Sequence, residues 1–507
     1  MRKISLSIFI LLLVILCRAE DGYRLWLRYD KIQDVQVLNI YRSLITSINF
    51  YSGGTQTRLS AAAELQNGLA GLLGKTIPMS TGTEGSISVS LDANKLSDEG
   101  FSIKTSLLRG KNQIQITAST DIGILYGIFH FLRLVQTHTD ISTIQISSSP
   151  KYALRLLNHW DNLNRTVERG YAGFSIWNWH QLPQYIDQRY IDYARANASI
   201  GINGTVLTNV NANALILTPQ YLEKVAALAN VFRPYGIRVY LTARFSAPIE
   251  IGKLKTADPL DSEVQSWWRE KVKEIYHYVP DFGGFLVKAN SEGQPGPQNY
   301  KRTHADGANM LADAVAPFNG IVMWRAFVYS NEVPEDRVKQ AYSEFKPLDG
   351  QFRKNVLVQV KNGPLDFQPR EPFSPLFGAM DKTPLMMEFQ ITQEYLGQGT
   401  HLVYEAPLFK EVLATDTYKN GKGSTVSSNI SGIAGVANIG NERNWTNHPF
   451  AQANWYAFGR LAWDPELSSE KIADEWIRQT FSNNEQVVTT AKKMMIASRE
   501  AVVNYMT

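Results

Sequence analysis

An α/β chain built on an eight-stranded (β/α) barrel, with an α+β unit before it and helices after it, is what the hydrophobic pattern predicts. Three observations carry this. Eight short apolar runs alternate with amphipathic helical stretches between residues 151 and 450. Ahead of residue 150, strand signals follow one another and end in a helix that is apolar nearly all round. After residue 450 only helical periodicity remains.

The leading unit, residues 20–150, opens with the alternating stretch Tyr23-Arg-Leu-Trp-Leu-Arg-Tyr29, which predicts a half-buried strand. Ile87–Leu91, Phe101–Lys104 and Gln113–Thr117 predict three more strands. Ile122–Val135 predicts a buried helix closing that sheet, with His130 as a structural histidine inside it. In the middle unit, residues 151–450, strands are predicted at Ala153–Leu157, Thr205–Leu207, Ile237–Leu241, Gly284–Val287, Ile321–Trp324, Val356–Val360, Leu385–Phe389 and Ile433–Ala437. Tyr190–Ser199, Pro219–Phe232, Ser262–Tyr278, Ala305–Ala314, Glu335–Phe345 and a weakly marked Leu408–Leu413 supply the intervening helices. That count over about 290 residues is the size and rhythm of a TIM barrel. A doubly wound sheet is disfavoured because no glycine-rich phosphate loop follows the first strand. In residues 451–507, Ala451–Leu461, Ser469–Phe481 and Glu485–Tyr505 predict helices.

Composition narrows the function classes. The chain has 507 residues, 44% of them hydrophobic and 19% charged, and a formal charge of +4 with no basic stripe, which excludes nucleic acid as a bulk electrostatic partner. Met1-Arg2-Lys3 followed by apolar Ile4–Cys17 predicts a secretory signal peptide over residues 1–19, cut after Cys17-Arg18-Ala19. The run is too short for a membrane span. A lipoprotein is the weaker expectation, since Leu16 precedes Cys17. Cys17 is the single cysteine, so the mature chain holds neither a disulfide nor a thiol nucleophile, which suits a bacterial periplasmic or secreted protein.

In a (β/α) barrel the residues just past the strands share one mouth. Three runs end directly in a cation: Lys288, Arg325 and Lys361. Three cations at one mouth predict an anion site. The loops after the fourth, sixth and seventh strands carry Glu292, Asp366 and Glu394. Glycoside hydrolysis needs one carboxyl to protonate the leaving oxygen and another, ionised, to activate water. Neighbouring cations are expected to keep Asp366 and Glu394 ionised, leaving Glu292 as the proton donor. Their separation, and so retention or inversion, is not legible from spacing. Together, cations and acids predict a sugar that bears a carboxylate, a uronic acid.

No metal or other cofactor is implied: there is no HExxH, no second cysteine, and the eight histidines are scattered. His159 and His448 are expected to be hydrogen-bonding supports. Trp160, Trp177 and Trp179 are candidates either for stacking on sugar or for packing.

The chain resembles the bacterial α-glucuronidases of glycoside hydrolase family 67. The resemblance rests on Leu157-Asn-His-Trp-Asp-Asn162, Gly173-Phe-Ser-Ile-Trp-Asn-Trp179, Lys288-Ala-Asn-Ser-Glu-Gly-Gln-Pro-Gly-Pro297 and Trp324-Arg-Ala-Phe-Val-Tyr329. It continues in Val360-Lys-Asn-Gly-Pro-Leu-Asp-Phe-Gln368 and Met387-Glu-Phe-Gln-Ile-Thr-Gln-Glu-Tyr-Leu-Gly397. It implies exo-acting, inverting release of 4-O-methyl-glucuronic acid α-1,2-linked to the non-reducing-end xylose of xylo-oligosaccharides. By the same resemblance Glu292 is the general acid, Asp366 and Glu394 serve the water, and Trp160, Lys288, Arg325 and Lys361 bind the uronate. Val210 falls near the 4-O-methyl group. The family continues into a longer helical carboxy-terminal domain that often holds the dimer contact. The chain is therefore expected to be a shortened member, with a homodimer implied only where that domain is complete. Three other readings remain open: a β-hexosaminidase-like hydrolase on the same architecture, a non-catalytic uronate-binding protein, and a uronate lyase.

Overall fold

The computed structural model describes residues 20–51, 53–80, 85–92, 97–328 and 336–506. The signal peptide expected over residues 1–19, Tyr329 of the resemblance motif and the expected helix start at Glu335 lie outside these residues.

Eight parallel strands close the barrel: β6 Leu154–Asn158, β7 Gly204–Val206, β8 Arg238–Thr242, β9 Gly284–Val287, β10 Ile321–Arg325, β11 Val356–Lys361, β12 Leu385–Gln390 and β13 Gly432–Val436. β13 pairs back onto β6, with Val436 opposite Asn158, so no edge is left open. The strands are made mostly of apolar or β-branched residues because both faces of the sheet are covered. Leu156, Val206, Tyr240, Leu286, Met323, Leu357, Met386 and Ala434, one from each strand, fill the interior as a packed core. The helices outside include α4 Gln188–Ser199, α5 Pro219–Phe232, α6 Ser262–Tyr278, α7 His304–Val315, α8 Arg337–Phe345 and α9 Ala406–Ala414. Their starts follow local chemistry. Asp261 accepts from the N–H groups of Glu263 and Val264 at 2.8 and 3.1 Å, and Thr303 forms a reciprocal cap with Asp306. Such caps contribute about 1 kcal/mol each. Gly284 opens β9 at φ +133°, where a Cβ would stand 1.9 Å from the Ile321 carbonyl oxygen of β10, so only glycine lets these strands pair.

The leading sheet has the order β1-β2-β4-β3-β5, with β1 Ile48–Phe50, β2 Ile87–Leu91, β3 Phe101–Leu108, β4 Lys111–Ala118 and β5 Gln145–Ser148. α1 Val35–Leu44, α2 Gln56–Leu73 and α3 Asp121–Gln136 belong to the same unit. α3 is the buried helix expected from the sequence, and the His130 ring packs on Phe101 inside the unit. α2 was not legible, because its small residues, Ala61–Ala63, Gly68, Ala70 and Gly71, blur the apolar stripe that marks a helix.

Tyr23–Tyr29 corrects the sequence reading: it is turn and coil, not a strand, with Leu25 and Tyr29 at φ +54° and +50°. Its apolar residues serve burial instead, since the consecutive Leu25 and Trp26 are both buried in the core shared with the barrel. The Trp26 indole donates to Ser199 Oγ at 2.7 Å, and Tyr23 packs on Trp445. Burial against another unit, not a pleat, sets the pattern. Behind the barrel, α10 Gln452–Trp463, α11 Ser469–Thr480 and α12 Glu485–Met506 pack in succession. No described helix is long and apolar enough to cross a membrane.

Candidate active site

Phe327, two residues past β10, is the centre of the mouth. The Lys361 ammonium lies 3.3 Å from its ring centroid, the Arg325 guanidinium 5.4 Å and the Lys288 ammonium 5.7 Å. Three strands therefore deliver their terminal cations to one aromatic ring, whose negative face favours them. All three side chains are nearly buried, at 3% exposed or less. Burial and the neighbouring Arg325 charge push the Lys361 ammonium down to about 8, and the same two causes lower Lys288.

Each cation has its own carboxylate. Lys288 pairs with Glu292, Lys361 with Asp366, and Arg325 with Glu388, which takes both Nε (2.9 Å) and Nη2 (2.8 Å). Gln359 Nε2 also donates to Glu388 at 2.9 Å. A buried, doubly bonded pair of this kind fixes the guanidinium plane.

Glu292 stands at φ +49°, in a turn where Asn290 is also left-handed at +50°. Asn290 is a residue that tolerates this region, and its side chain closes the turn through Gln298 and Asn299. Glu292 has no such excuse. Backbone held in this region costs on the order of 1–3 kcal/mol and is found at sites where a side chain must be aimed. Its side chain is 47% exposed, the most open of the three acids predicted from sequence.

Asp366 lies on the loop after β11. Glu371 holds that loop by accepting from the N–H groups of Leu365 (2.8 Å) and Gln368 (3.0 Å). Burial opposes the charge on Asp366, but Lys361 and the Tyr395 hydroxyl, which donates to Oδ2 at 3.0 Å, outweigh it and hold its carboxyl below the usual range. Glu394 is nearly buried. Arg169 Nε reaches its Oε1 at 2.8 Å, and Gln390 Nε2 donates to its Oε2 at 2.7 Å. Burial and then the charges of Asp366 and Glu394 push the Tyr395 phenol up, so both acids face one hydroxyl. The chain thus brings Asp366 and Glu394 together and keeps Glu292 on a different side, three strands from Glu394 in the barrel order.

Trp160 lies over this assembly, with the Arg325 guanidinium 5.9 Å from its ring and Phe367 6.5 Å away, and its indole N–H has no protein partner. Val210 is buried in the same apolar cluster. Trp177 and Trp179 are placed otherwise: they are buried and pack on Tyr193 and Phe232 and on Tyr221 respectively. His159 supports from behind, bonding the Tyr193 hydroxyl at 2.9 Å.

Four members of the site were missed in the sequence. Glu388 is a lone acid inside the otherwise apolar run of β12, a signal that was available. Phe327, Tyr395 and Arg169 carried none, since an aromatic or a cation in a loop is ordinary.

The family model "Glycosyl hydrolase family 67 middle domain" matches residues 134–445, which take in the whole barrel and every residue of this cluster. The chain belongs to glycoside hydrolase family 67. The amino-terminal and carboxy-terminal models of family 67 match residues 25–131 and 446–507. Among curated relatives, the probable alpha-glucuronidase A of Neosartorya fischeri is 42% identical, over 96% of this chain and 61% of its own length. The alpha-glucuronidase A of Emericella nidulans is 41% identical with the same coverage. The chain therefore spans about three fifths of the length of these relatives, which are fungal. Solved structures share the fold: a GH138 enzyme targeting pectin rhamnogalacturonan II (TM-score 0.60, 16% identity, 90% of this chain and 55% of that one) and a GH115 4-O-methyl-alpha-glucuronidase with specificity for decorated arabinogalactans (0.52, 13%, 90% and 61%). A Streptomyces plicatus beta-hexosaminidase also shares it (0.52, 11%, 88% and 91%). Ser291, not an aspartate, precedes Glu292, so this family 67 chain lacks the adjacent Asp-Glu pair of hexosaminidase chemistry at that turn.

Proposed function

We propose that this family 67 chain is an inverting, exo-acting α-glucuronidase. It removes glucuronic acid, or its 4-O-methyl ether, α-1,2-linked to the non-reducing-end xylose of xylo-oligosaccharides. The convergence of Lys288, Arg325 and Lys361 on Phe327 carries the reading, because it sets ammonium and guanidinium donors side by side for an anionic ligand, and the acids paired with them supply hydrolytic chemistry. The names of relatives 41–42% identical support the same activity.

The roles follow from the contacts. Arg325, its plane fixed by Glu388, and Lys361 receive the uronate carboxylate, while the Trp160 ring covers the sugar and Val210 borders its 4-position. Lys288 is shared: a uronate that takes its ammonium draws the cation away from Glu292, on the side where a proton must be given to the leaving oxygen. Asp366, kept ionised by Lys361, and Glu394, oriented by Arg169 and Gln390, take the proton of the attacking water beside Tyr395. A proton donor on one side and carboxylates on the other is the layout of glycoside hydrolysis, and inversion is the outcome that the family resemblance implies. The leader read over residues 1–19 would place this reaction outside the cytoplasm, where xylan fragments occur.

Product analysis of a uronosyl-xylotriose tests the reading. Free uronic acid, appearing first as the β-anomer by proton NMR, is the expected product. Glu292→Gln is expected to slow release by about 10²–10⁴-fold. Unchanged turnover by Glu292→Gln, or an unsaturated product absorbing in the ultraviolet, would sink it.

A further inference from the structure

The loop after β12, residues 391–405, carries Glu394 and Tyr395 and is folded around one buried side chain. Gln393 is fully buried, and each of its polar groups has a partner. Its N–H donates to the Tyr171 hydroxyl at 3.1 Å, and its carbonyl accepts the N–H groups of Leu396 (3.2 Å) and Gln398 (2.9 Å). Its side-chain Nε2 donates to the carbonyls of His401 (3.1 Å), Gln398 (3.2 Å) and Leu396 (3.4 Å). Its Oε1 accepts Asn454 Nδ2 at 3.4 Å. We propose that Gln393 is the positioning residue for the base side of the site, fixing the turn in which Glu394 and Tyr395 are the two central residues. The proposal rests on the glucuronidase reading and deepens it, by naming what aims an acid that serves the water.

Local geometry argues for it first. The bond from the Leu396 N–H to the Gln393 carbonyl closes a four-residue turn over residues 393–396, with Glu394 and Tyr395 at its tip. Polar loops on a barrel rim are ordinarily mobile. In this one, three carbonyls turn inward onto the Gln393 amide, where an unpaired carbonyl would cost free energy. A single side chain thus supplies the donors that a helix or a ladder supplies elsewhere.

Anchoring argues for it next. Asn454 belongs to α10 and is itself gripped: its Nδ2 donates to the Val403 carbonyl at 2.8 Å and to Glu405 Oε1 at 3.1 Å, and its Oδ1 accepts the Glu405 N–H at 2.9 Å. On the other side, Tyr171 stands two residues past Arg169, whose guanidinium meets Glu394. Thr392 Oγ1 donates to the Arg169 carbonyl at 3.3 Å, so the two loops that supply this ion pair are stitched together beside it. α12 closes the outside, where Val502 packs with Leu396 and Val403, and Ser498 Oγ accepts the Tyr404 N–H at 2.8 Å. Site groups held this way by supporting hydrogen bonds keep a productive geometry. Lys288, Arg325 and Lys361 take their places from the ends of β9, β10 and β11 instead. A misplaced Glu394 should therefore slow turnover more than it weakens uronate binding.

The test uses the full chain with Gln393→Met, which keeps the length of the side chain without its amide, and the milder Tyr171→Phe, which removes only a hydroxyl. Gln393→Met is expected to lower kcat on uronosyl-xylotriose by about 30-fold, the scale of a displacement of about 1 Å. KM, and the Kd for glucuronate by isothermal titration, should stay within about threefold. Tyr171→Phe is expected to lower kcat by about threefold in the same pattern, and it decides the matter where Gln393→Met does not fold. Amide hydrogen exchange reads the loop without turnover, and residues 394–401 should exchange faster in either variant. Unchanged exchange would overturn the assignment. So would faster exchange with kcat preserved, or a KM and Kd that rise as far as kcat falls. Where the unsubstituted chain releases no uronic acid, the hydrolytic reading fails, and the exchange result alone decides whether Gln393 holds the turn.

Discussion

Arg325 of β10 and Glu388 of β12 form a doubly hydrogen-bonded ion pair across the intervening β11, each side chain 1% exposed. Neither strand alone would tolerate its charge at that depth. Removing one partner of such a pair leaves the other uncompensated and costs about 3–5 kcal/mol. Glu388→Gln is therefore expected to lower the unfolding free energy by that order in urea titration. It should also raise KM for uronosyl substrates more than it lowers kcat, because Arg325 would lose its fixed plane.

Lys361 carries a shifted ammonium, so binding at the cluster is expected to be sensitive to alkali. Burial and Arg325 bring its ammonium from 10.5 to about 8. Between those two values the unfolded chain holds more protons than the folded one, so the Lys361 contribution to stability rises with pH across that window. Under the proposed function uronate binding runs the opposite way, since only the ammonium attracts a carboxylate. Log kcat/KM is expected to fall above pH 8 with a slope approaching about −1. Lys361→Met should give a low profile without that limb, and a limb that survives in Lys361→Met would assign it elsewhere.

Arg169 is 53% exposed, so its pair with Glu394 adds little stability, about 1 kcal/mol at most. Its effect is expected in turnover. Arg169→Ala should reduce kcat by about tenfold while shifting Tm by no more than a few degrees. A large fall in Tm with unchanged kcat would make the pair structural.

Glu475, on α11, receives Arg460 Nε at 3.0 Å and the Tyr456 hydroxyl at 3.2 Å. Burial opposes its charge, but Arg460 and Arg133 overcome this and depress its carboxyl from 4.5 to about 2. Its contribution is complete above about 4.5 and is lost as pH falls toward 2, amounting to about 3 kcal/mol. Glu475→Gln should be less stable at neutral pH and should lose less on acidification than the unsubstituted chain, measured by urea unfolding at pH 6 and pH 3.

The barrel was legible because its signals are local. β9 Gly284–Val287 and α5 Pro219–Phe232 fall where apolar runs, proline and turn residues put them. Lys288, Arg325 and Lys361 could be grouped from sequence since each directly follows an apolar run or ends it, and closure of the sheet sends all three to one rim. Where local pattern and tertiary burial parted, as at Tyr23–Tyr29, the pattern misled.

By itself, then, the sequence determined the order of units, the eight strands and the pool of cations and acids at their ends, because hydrophobic period and strand termination are properties of a few consecutive residues. The tertiary structure alone decided the pairing: Lys288 with Glu292, Lys361 with Asp366, Arg325 with Glu388, and all three cations on Phe327. Which acid a buried cation takes depends on which side chains share a level inside the closed barrel, and charges withdrawn from water must be matched within hydrogen-bond reach. No spacing along the chain encodes that distance.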